Sequence, residues 1–362
     1  MRCCGEEEAI RSVEIKGGRD AIVSDHSEPR AAGDIVKVRV LVAPMCTEWQ
    51  SWREGKHSCE LGHEAVGAVV DAAQSKRLKN GDRVVVMPHA GCGTCPACLA
   101  GEHIHCTEQR DLLAETGSSS GIGCYAEYLL KPDYLLHPVP DDVETDHAAM
   151  AVCALGPSFT AMERMQVTPS DTVLVSGCGA VGLGAIINAR IIGARVVALE
   201  LHPYRTELAR ALGAEHVLDQ RAPDLIEQVR ALTGGYGADA AIETSNNPAA
   251  PPVVLELLRA RGRLAFVTWS GELPVKRITG KGVEIYGSWH WNHEQFGDRM
   301  MERVRDARPL LDQLTTHRFA LADVADAFAL QETGRCGKVL LYPAGVPDQM
   351  PAKHTAEVEP AL

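Results

Sequence analysis

Residues 173–200 read VLVSGCGAVGLGAIINARIIGARVVALE, and this stretch decides the fold. The run Val173, Leu174, Val175 is short, apolar and β-rich, as a buried parallel strand requires. Gly177-Cys178-Gly179-Ala180-Val181-Gly182 follows, and residues 183–192 then suit a buried helix. Gly193 and Ala194 end that helix, a second strand covers residues 195–199, and Glu200 stands at its C-terminal end. Strand, glycine turn, helix, strand and acid together make a dinucleotide-binding fingerprint. Gly177 permits the tight turn, Gly179 lets backbone approach a pyrophosphate, and Gly182 lets helix and strand pack closely. The helix start at Ala180 and Val181 offers free N–H groups and the positive end of the helix dipole. Glu200, 18 residues past Gly182, is placed to accept hydrogen bonds from ribose hydroxyls and to repel a 2′-phosphate, which favours NAD over NADP. Arg205 reads either as a contact to the adenosine ribose or phosphate, or as a solvated charge at a helix start. A glycine-rich turn in some other α/β domain is the competing reading, and the intact strand–helix–strand context argues against it.

Composition narrows the class. A chain of 362 residues has room for two domains and ample core, which the 5% aromatic content leaves mainly to Val, Leu, Ile and Ala. Against 48 acidic residues stand 36 basic ones, giving a net charge of −12 with no basic block. That balance argues against nucleic acid or an anionic membrane as partner. The segment Met1-Arg2-Cys3-Cys4-Gly5-Glu6-Glu7-Glu8 lacks a signal peptide's apolar core, and no apolar run reaches the roughly 20 residues of a membrane span. A cytoplasmic location is expected. In that setting the 12 cysteines point to metal ligands and buried thiols rather than disulfides. Residues 344–362, rich in Pro, Ala and charge, are expected to form a mobile tail.

Cys92, Cys95, Cys98 and Cys106, spaced 3, 3 and 8 residues apart, can wrap one ion in a small lobe over residues 92–106. Four thiolates make a closed, structural zinc site. An iron–sulfur cluster also uses C-x₂-C-x₂-C, but there the fourth cysteine usually serves a second cluster, for which nothing else in the chain provides. His89, His103 and His105 flank the lobe and read as solvated bystanders. Cys46 alone reads as a buried thiol and His63 as a satisfied core histidine. Taken with Cys153 they supply two thiolates and one imidazole, a set that suits tetrahedral zinc with its fourth position open.

Gly62-His63-Glu64, the four-cysteine lobe, the later cysteine and the glycine fingerprint resemble the zinc-containing medium-chain alcohol dehydrogenase family, in its polyol, sorbitol and threonine dehydrogenase-like branch. The likeness runs from about Ile10 to Tyr342. It implies an α/β chain with a GroES-like β-rich catalytic domain and a Rossmann doubly wound parallel-sheet cofactor domain. The expected division is 1–153 for the catalytic domain, 154–290 for the NAD-binding domain, and 291–343 for the return to the catalytic domain. By position, Cys46, His63 and Cys153 match the catalytic zinc ligands, and Cys92, Cys95, Cys98 and Cys106 the structural set, two zinc ions per chain with NAD as cofactor. The resemblance further implies a homodimer or homotetramer joined through the last strand of the cofactor sheet.

One departure bears on catalysis. Relatives commonly carry Ser or Thr two residues after the first zinc cysteine, to relay the substrate proton; here that position is Glu48, preceded by Thr47. Either the loop is one residue shorter and Thr47 relays the proton, the preferred reading, or Glu48 transfers it directly. Glu64 reads as an outer partner of the metal, as an alternative ligand, or as one half of a salt bridge. Trp49 and Trp52 follow Cys46, and Trp289 and Trp291 sit where the chain leaves the cofactor domain. If these loops converge they wall a pocket for a polyol, sugar or cyclitol; otherwise they seal a domain or subunit junction. The expected activity is NAD-linked interconversion of a secondary alcohol and a ketone, with a tailoring step on a larger hydroxylated metabolite as the alternative substrate class. Two competitors are a non-catalytic protein that binds NAD and zinc, and a zinc-independent reductase of activated double bonds.

Overall fold

The computed structural model describes residues 9–59 and 61–347, so the tail expected from residue 344 lies almost wholly outside the described residues. The chain forms two compact units. One comprises the chain up to Asp82, then Asp111–Asp133, then the chain from Thr315; the other comprises Arg83–Arg110 and Tyr134–Leu314.

The first unit is β-rich and is built from both ends of the chain. Its hub is the strand Ile35–Pro44, in which Val36, Val38, Val40 and Val42 are buried. It pairs antiparallel with Ala65–Asp71, Tyr128–Pro132 and Lys338–Tyr342. Lys338–Tyr342 in turn pairs in parallel with Thr315–Ala320. The strands Ala9–Gly17 and Asp20–Ser27 form a separate hairpin. Helices Glu48–Arg53 and Val324–Thr333 pack together, with the rings of Trp52 and Phe328 5.9 Å apart. The segment 108–123 contains the helix Leu112–Thr116, started by the Asp111 carboxylate accepting from the Ala114 amide at 3.0 Å. Leu112 packs with Ile35 and Leu130, which anchors the segment.

The second unit holds a six-stranded parallel sheet. Its spatial order is His216–Leu218, Arg195–Leu199, Thr172–Ser176, Ala238–Glu243, Leu258–Phe266, Glu284–Gly287. Numbered along the chain this is the order 3-2-1-4-5-6, the doubly wound arrangement expected. Thr172–Ser176 lies centrally and every residue of it is buried, as its near-continuous apolar run requires. The order reverses between it and Ala238–Glu243, so ligands are expected at the carboxyl ends of those two strands.

The units are cut elsewhere than at residues 153 and 290. Residues after 290 do not run straight into a return segment: His293–Leu314 is a 22-residue helix of the second unit, packed on Ala180–Ile192. Met300, Met301, Val304, Ala307, Leu311 and Leu314 form its buried stripe at helical spacing. Its many charges and the internal Pro309 hide that stripe from a reading of the sequence.

Candidate active site

The glycine fingerprint takes the geometry its spacing implies. Gly177 has φ +85°, and a Cβ there would lie 2.7 Å from Ser245 Cα. A Cβ on Gly182 would sit 1.9 Å from the Gly177 carbonyl oxygen, while one on Gly179 would meet nothing within 4 Å. Gly179 therefore faces open space suited to a phosphate. Helix Ala180–Ile192 starts at Gly179 with no side-chain cap, leaving its first amides for an anion. The Thr244 hydroxyl donates to the Ser176 and Gly177 carbonyls at 3.0 and 2.8 Å, pinning the turn from the neighbouring strand. Thr244 was not foreseen, because only the strand pairing brings residues 244 and 177 together.

Glu200 closes the nucleotide side. One carboxylate oxygen accepts from the Cys178 amide at 2.8 Å, and the other from the amides of Leu201 and His202 at 2.7 and 2.9 Å. Burial raises the Cys178 thiol, the charge of Glu200 raises it further, and the charge of Arg205 opposes both. Arg205 stands in the first turn of helix Pro203–Leu212, half-buried, with its Nε buried and without a hydrogen-bond partner.

The sulfurs of Cys92, Cys95, Cys98 and Cys106 all lie within 4.8 Å of one another, with Cys95 and Cys106 at 3.8 Å. Tetrahedral Zn–S bonds of about 2.3 Å place sulfurs about 3.8 Å apart, so the set fits zinc. The Cys95 amide points at Cys92 Sγ and the Cys92 amide at Cys106 Sγ, both at 3.3 Å, and such donors favour thiolates. Hydrogen bonds from the Thr94 amide and hydroxyl pull Cys92 down to about 6, whereas burial pushes Cys98 up to about 12. The flanking histidines are not all bystanders: His103 is buried, stacks on Tyr134 at 5.1 Å and lies 3.2 Å from Glu294. His89 packs edge-on against Trp289, and of the three only His105 is exposed.

In the first unit, ligand atoms of Cys46, His63 and Glu64 fall within 4.8 Å of one another. Cys46 lies just beyond strand Ile35–Pro44 and His63 just before Ala65–Asp71, two strands paired antiparallel, so the sheet itself brings them together. Gly62 has φ +83° and a Cβ there would strike the Tyr125 ring at 2.4 Å, so only glycine fits before His63. Glu48 is committed to the scaffold. Its Oε1 lies 2.6 Å from His63 Nδ1, while its Oε2 accepts from the Tyr125 hydroxyl at 2.9 Å and the Cys46 amide at 3.2 Å. Burial alone would raise this carboxyl, but the charge and hydrogen bond of His63, with help from the backbone and Tyr125, hold it at about 2. Thr47 is exposed and its hydroxyl does not cap the helix that follows. Glu64 is fully buried against Lys338 Nζ at 2.5 Å.

Cys153 lies in the second unit, buried in the turn between helices Thr145–Ala149 and Gly156–Met165, with Sγ 3.9 Å from His290 Nε2. Helix Ala180–Ile192 seats that turn, since a Cβ on Gly184 would fall 1.7 Å from the Ala154 carbonyl oxygen. The tryptophans divide. Trp52 is core, its Nε1 donating to the Arg19 carbonyl at 2.7 Å, and Trp291 is 3% exposed and packed on Gly156. Each fills the interior of its own unit, and Trp291 also lines a small cavity together with His103, His290 and His293. Trp49 lies under the Arg53 guanidinium at 4.8 Å. Trp289 packs edge-on at 4.7 Å against Trp269, which is 76% exposed just past the carboxyl end of Leu258–Phe266. Trp269 was missed, although its place at a strand's carboxyl end was the available signal.

Residues 32–141 match the family model "Alcohol dehydrogenase GroES-like domain", and residues 180–306 match "Zinc-binding dehydrogenase". The chain is 33% identical over 299 residues, 78% of its length and 80% of the relative's, to erythritol/L-threitol dehydrogenase of Mycolicibacterium smegmatis. The chain belongs to the zinc-type alcohol dehydrogenase family. Sorbitol dehydrogenase of Bacillus subtilis is 29% identical over 350 residues, 92% of this chain and 97% of that one. The structure of the alcohol dehydrogenase TADH from Thermus sp. ATN1 superposes with a TM-score of 0.82 at 26% identity, over 92% of this chain and 99% of that one. The β-rich unit and the parallel-sheet unit of this zinc-type alcohol dehydrogenase are thus the GroES-like and Rossmann parts expected. No helix among the described residues is long and apolar enough to cross a membrane.

Proposed function

We propose that this zinc-type alcohol dehydrogenase uses NAD to oxidise a secondary alcohol of a polyol, sugar or cyclitol to the ketone, and runs the reverse reduction. The observation that carries the reading is the Cys46–His63–Glu64 cluster with Glu48 fixed on the back of His63. Cys46 and His63, joined by Cys153, would hold the catalytic zinc, and the four cysteines of the lobe the structural one. When bound, zinc supplies Lewis-acid polarisation of the alcohol oxygen and NAD accepts the hydride. Glu48 keeps the His63 proton on Nδ1, which leaves Nε2 as the ligand nitrogen. Because Glu48 is spent on that task, the exposed Thr47 hydroxyl is the group left to pass the substrate proton to solvent. Glu200 selects NAD, and the Trp269–Trp289 pair offers flat faces to a hydroxylated carbon chain. The open edge strand Glu284–Gly287, with Ile285 40% exposed, supports pairing with a second copy as homodimer or homotetramer.

The reading is tested by following NADH formation with erythritol, threitol, sorbitol and inositol on protein holding about two zinc ions per chain. NADH should accumulate with at least one of them and stop on chelation; silence across the panel at full zinc content would favour the non-catalytic alternative. Glu48→Gln keeps shape but removes the charge behind His63, and should lower kcat/KM by about 10–100-fold. An unchanged rate would release Glu48 from that role. Glu200→Ala removes hydrogen bonds from a charged acceptor, each worth about 1.5–3 kcal/mol. NAD should therefore bind about 10–100-fold more weakly, while NADP, no longer repelled, gains; titration of both nucleotides by fluorescence reads the ratio.

A further inference from the structure

We propose that His103, His293 and Glu294 form a third metal site, a solvent-accessible two-histidine, one-carboxylate centre for a first-row divalent cation such as zinc or cobalt. All three belong to the second unit, and none is a member of the cysteine-containing sets. One ligand atom from each lies within 4.8 Å of the others. His103 Nε2 and Glu294 Oε1 are already 3.2 Å apart. Metal–ligand bonds of about 2.0–2.2 Å place neighbouring ligand atoms about 3.0–3.5 Å apart, so little movement is needed to close the set.

The surroundings are those of metal-binding imidazoles. His293 Nε2 lies 2.6 Å from the Tyr134 carbonyl oxygen, a contact that places the proton on Nε2 and leaves Nδ1 as a lone-pair donor. A backbone carbonyl behind the imidazole is the usual outer partner of a ligating histidine. His103 is held rigid, 5% exposed and stacked on Tyr134. The Glu294 side chain is 35% exposed and gives an ion a path from solvent. Two imidazoles and one carboxylate suit zinc, cobalt, nickel or copper rather than calcium or magnesium. An ion here would join the turn His103–His105 of the cysteine lobe to the first turn of helix His293–Leu314. Asn292 already spans the same gap, its side-chain amide donating to the Ala100 carbonyl at 2.7 Å.

The test titrates zinc-replete protein with cobalt(II), read by elemental analysis and by absorption. The expected result is one additional ion per chain, with weak d–d bands and no thiolate-to-cobalt charge transfer. Glu294→Gln, and Glu294→Ala as a second variant, should weaken that uptake about tenfold or more with the resident zinc content unchanged, which also reports that the fold is intact. No saturable uptake, uptake with thiolate charge transfer, or uptake indifferent to both substitutions would each overturn the site. None of these readouts depends on turnover, so the outcome is separable from that of the dehydrogenase assay.

Discussion

Replacing Lys338 by methionine is expected to destabilise the protein by about 3–5 kcal/mol, the range for removing one partner of a buried ion pair. Lys338 is 1% exposed and Glu64 0%, and their contact is 2.5 Å. Burial pushes the Glu64 carboxyl above its ordinary range while the charge of Lys338 pulls it back, so without the lysine the carboxylate is stranded in the core. Denaturant unfolding should show a lower midpoint with little change in slope. The double variant Lys338→Met, Glu64→Met should recover most of the loss, because apolar residues of similar volume replace a buried pair at little net cost. A single variant as stable as the parent would mean that solvent reaches Glu64 and that the ion pair does not hold this part of the sheet.

Replacing Cys46 by serine should lower kcat/KM by about a thousandfold, since Lewis-acid stabilisation is worth several kcal/mol and each 1.36 kcal/mol is a factor of ten. Zinc content should fall by one ion per chain. NAD affinity should stay within about twofold, because the glycine turn and Glu200 lie in the other unit. Turnover and zinc content both unchanged would remove Cys46 from the metal. A parent protein that binds NAD but turns over nothing would leave the variant with nothing to lose, the result expected of a non-catalytic family member.

Much of the site was legible because its chemistry is local. The glycine fingerprint and the four-cysteine lobe each span few residues, so spacing along the chain is nearly spacing in space. Gly177, Gly179 and Gly182 meet their surroundings as their positions imply. Where function depends on partners far apart in the chain, the reading stopped short. Glu48 has two readings in sequence, and only its bonds to His63 and Tyr125 show that it is tied to the scaffold. Lys338 gave no signal, since its partner lies 274 residues away.

The tryptophans and His103 make the same point from burial. A pattern of residue types cannot tell an indole that fills a core, as Trp52 and Trp291 do, from one that faces solvent, as Trp269 does. By itself the sequence determined the family, the form of the glycine turn and which four cysteines gather in one lobe, because glycine conformation and short-range spacing leave few alternatives. The tertiary structure alone decided which carboxylate supports His63, which lysine neutralises Glu64 and which histidines stand beside Glu294. Those roles are set by desolvation and by contacts across strands and helices, and neither is written in the spacing of residues along the chain.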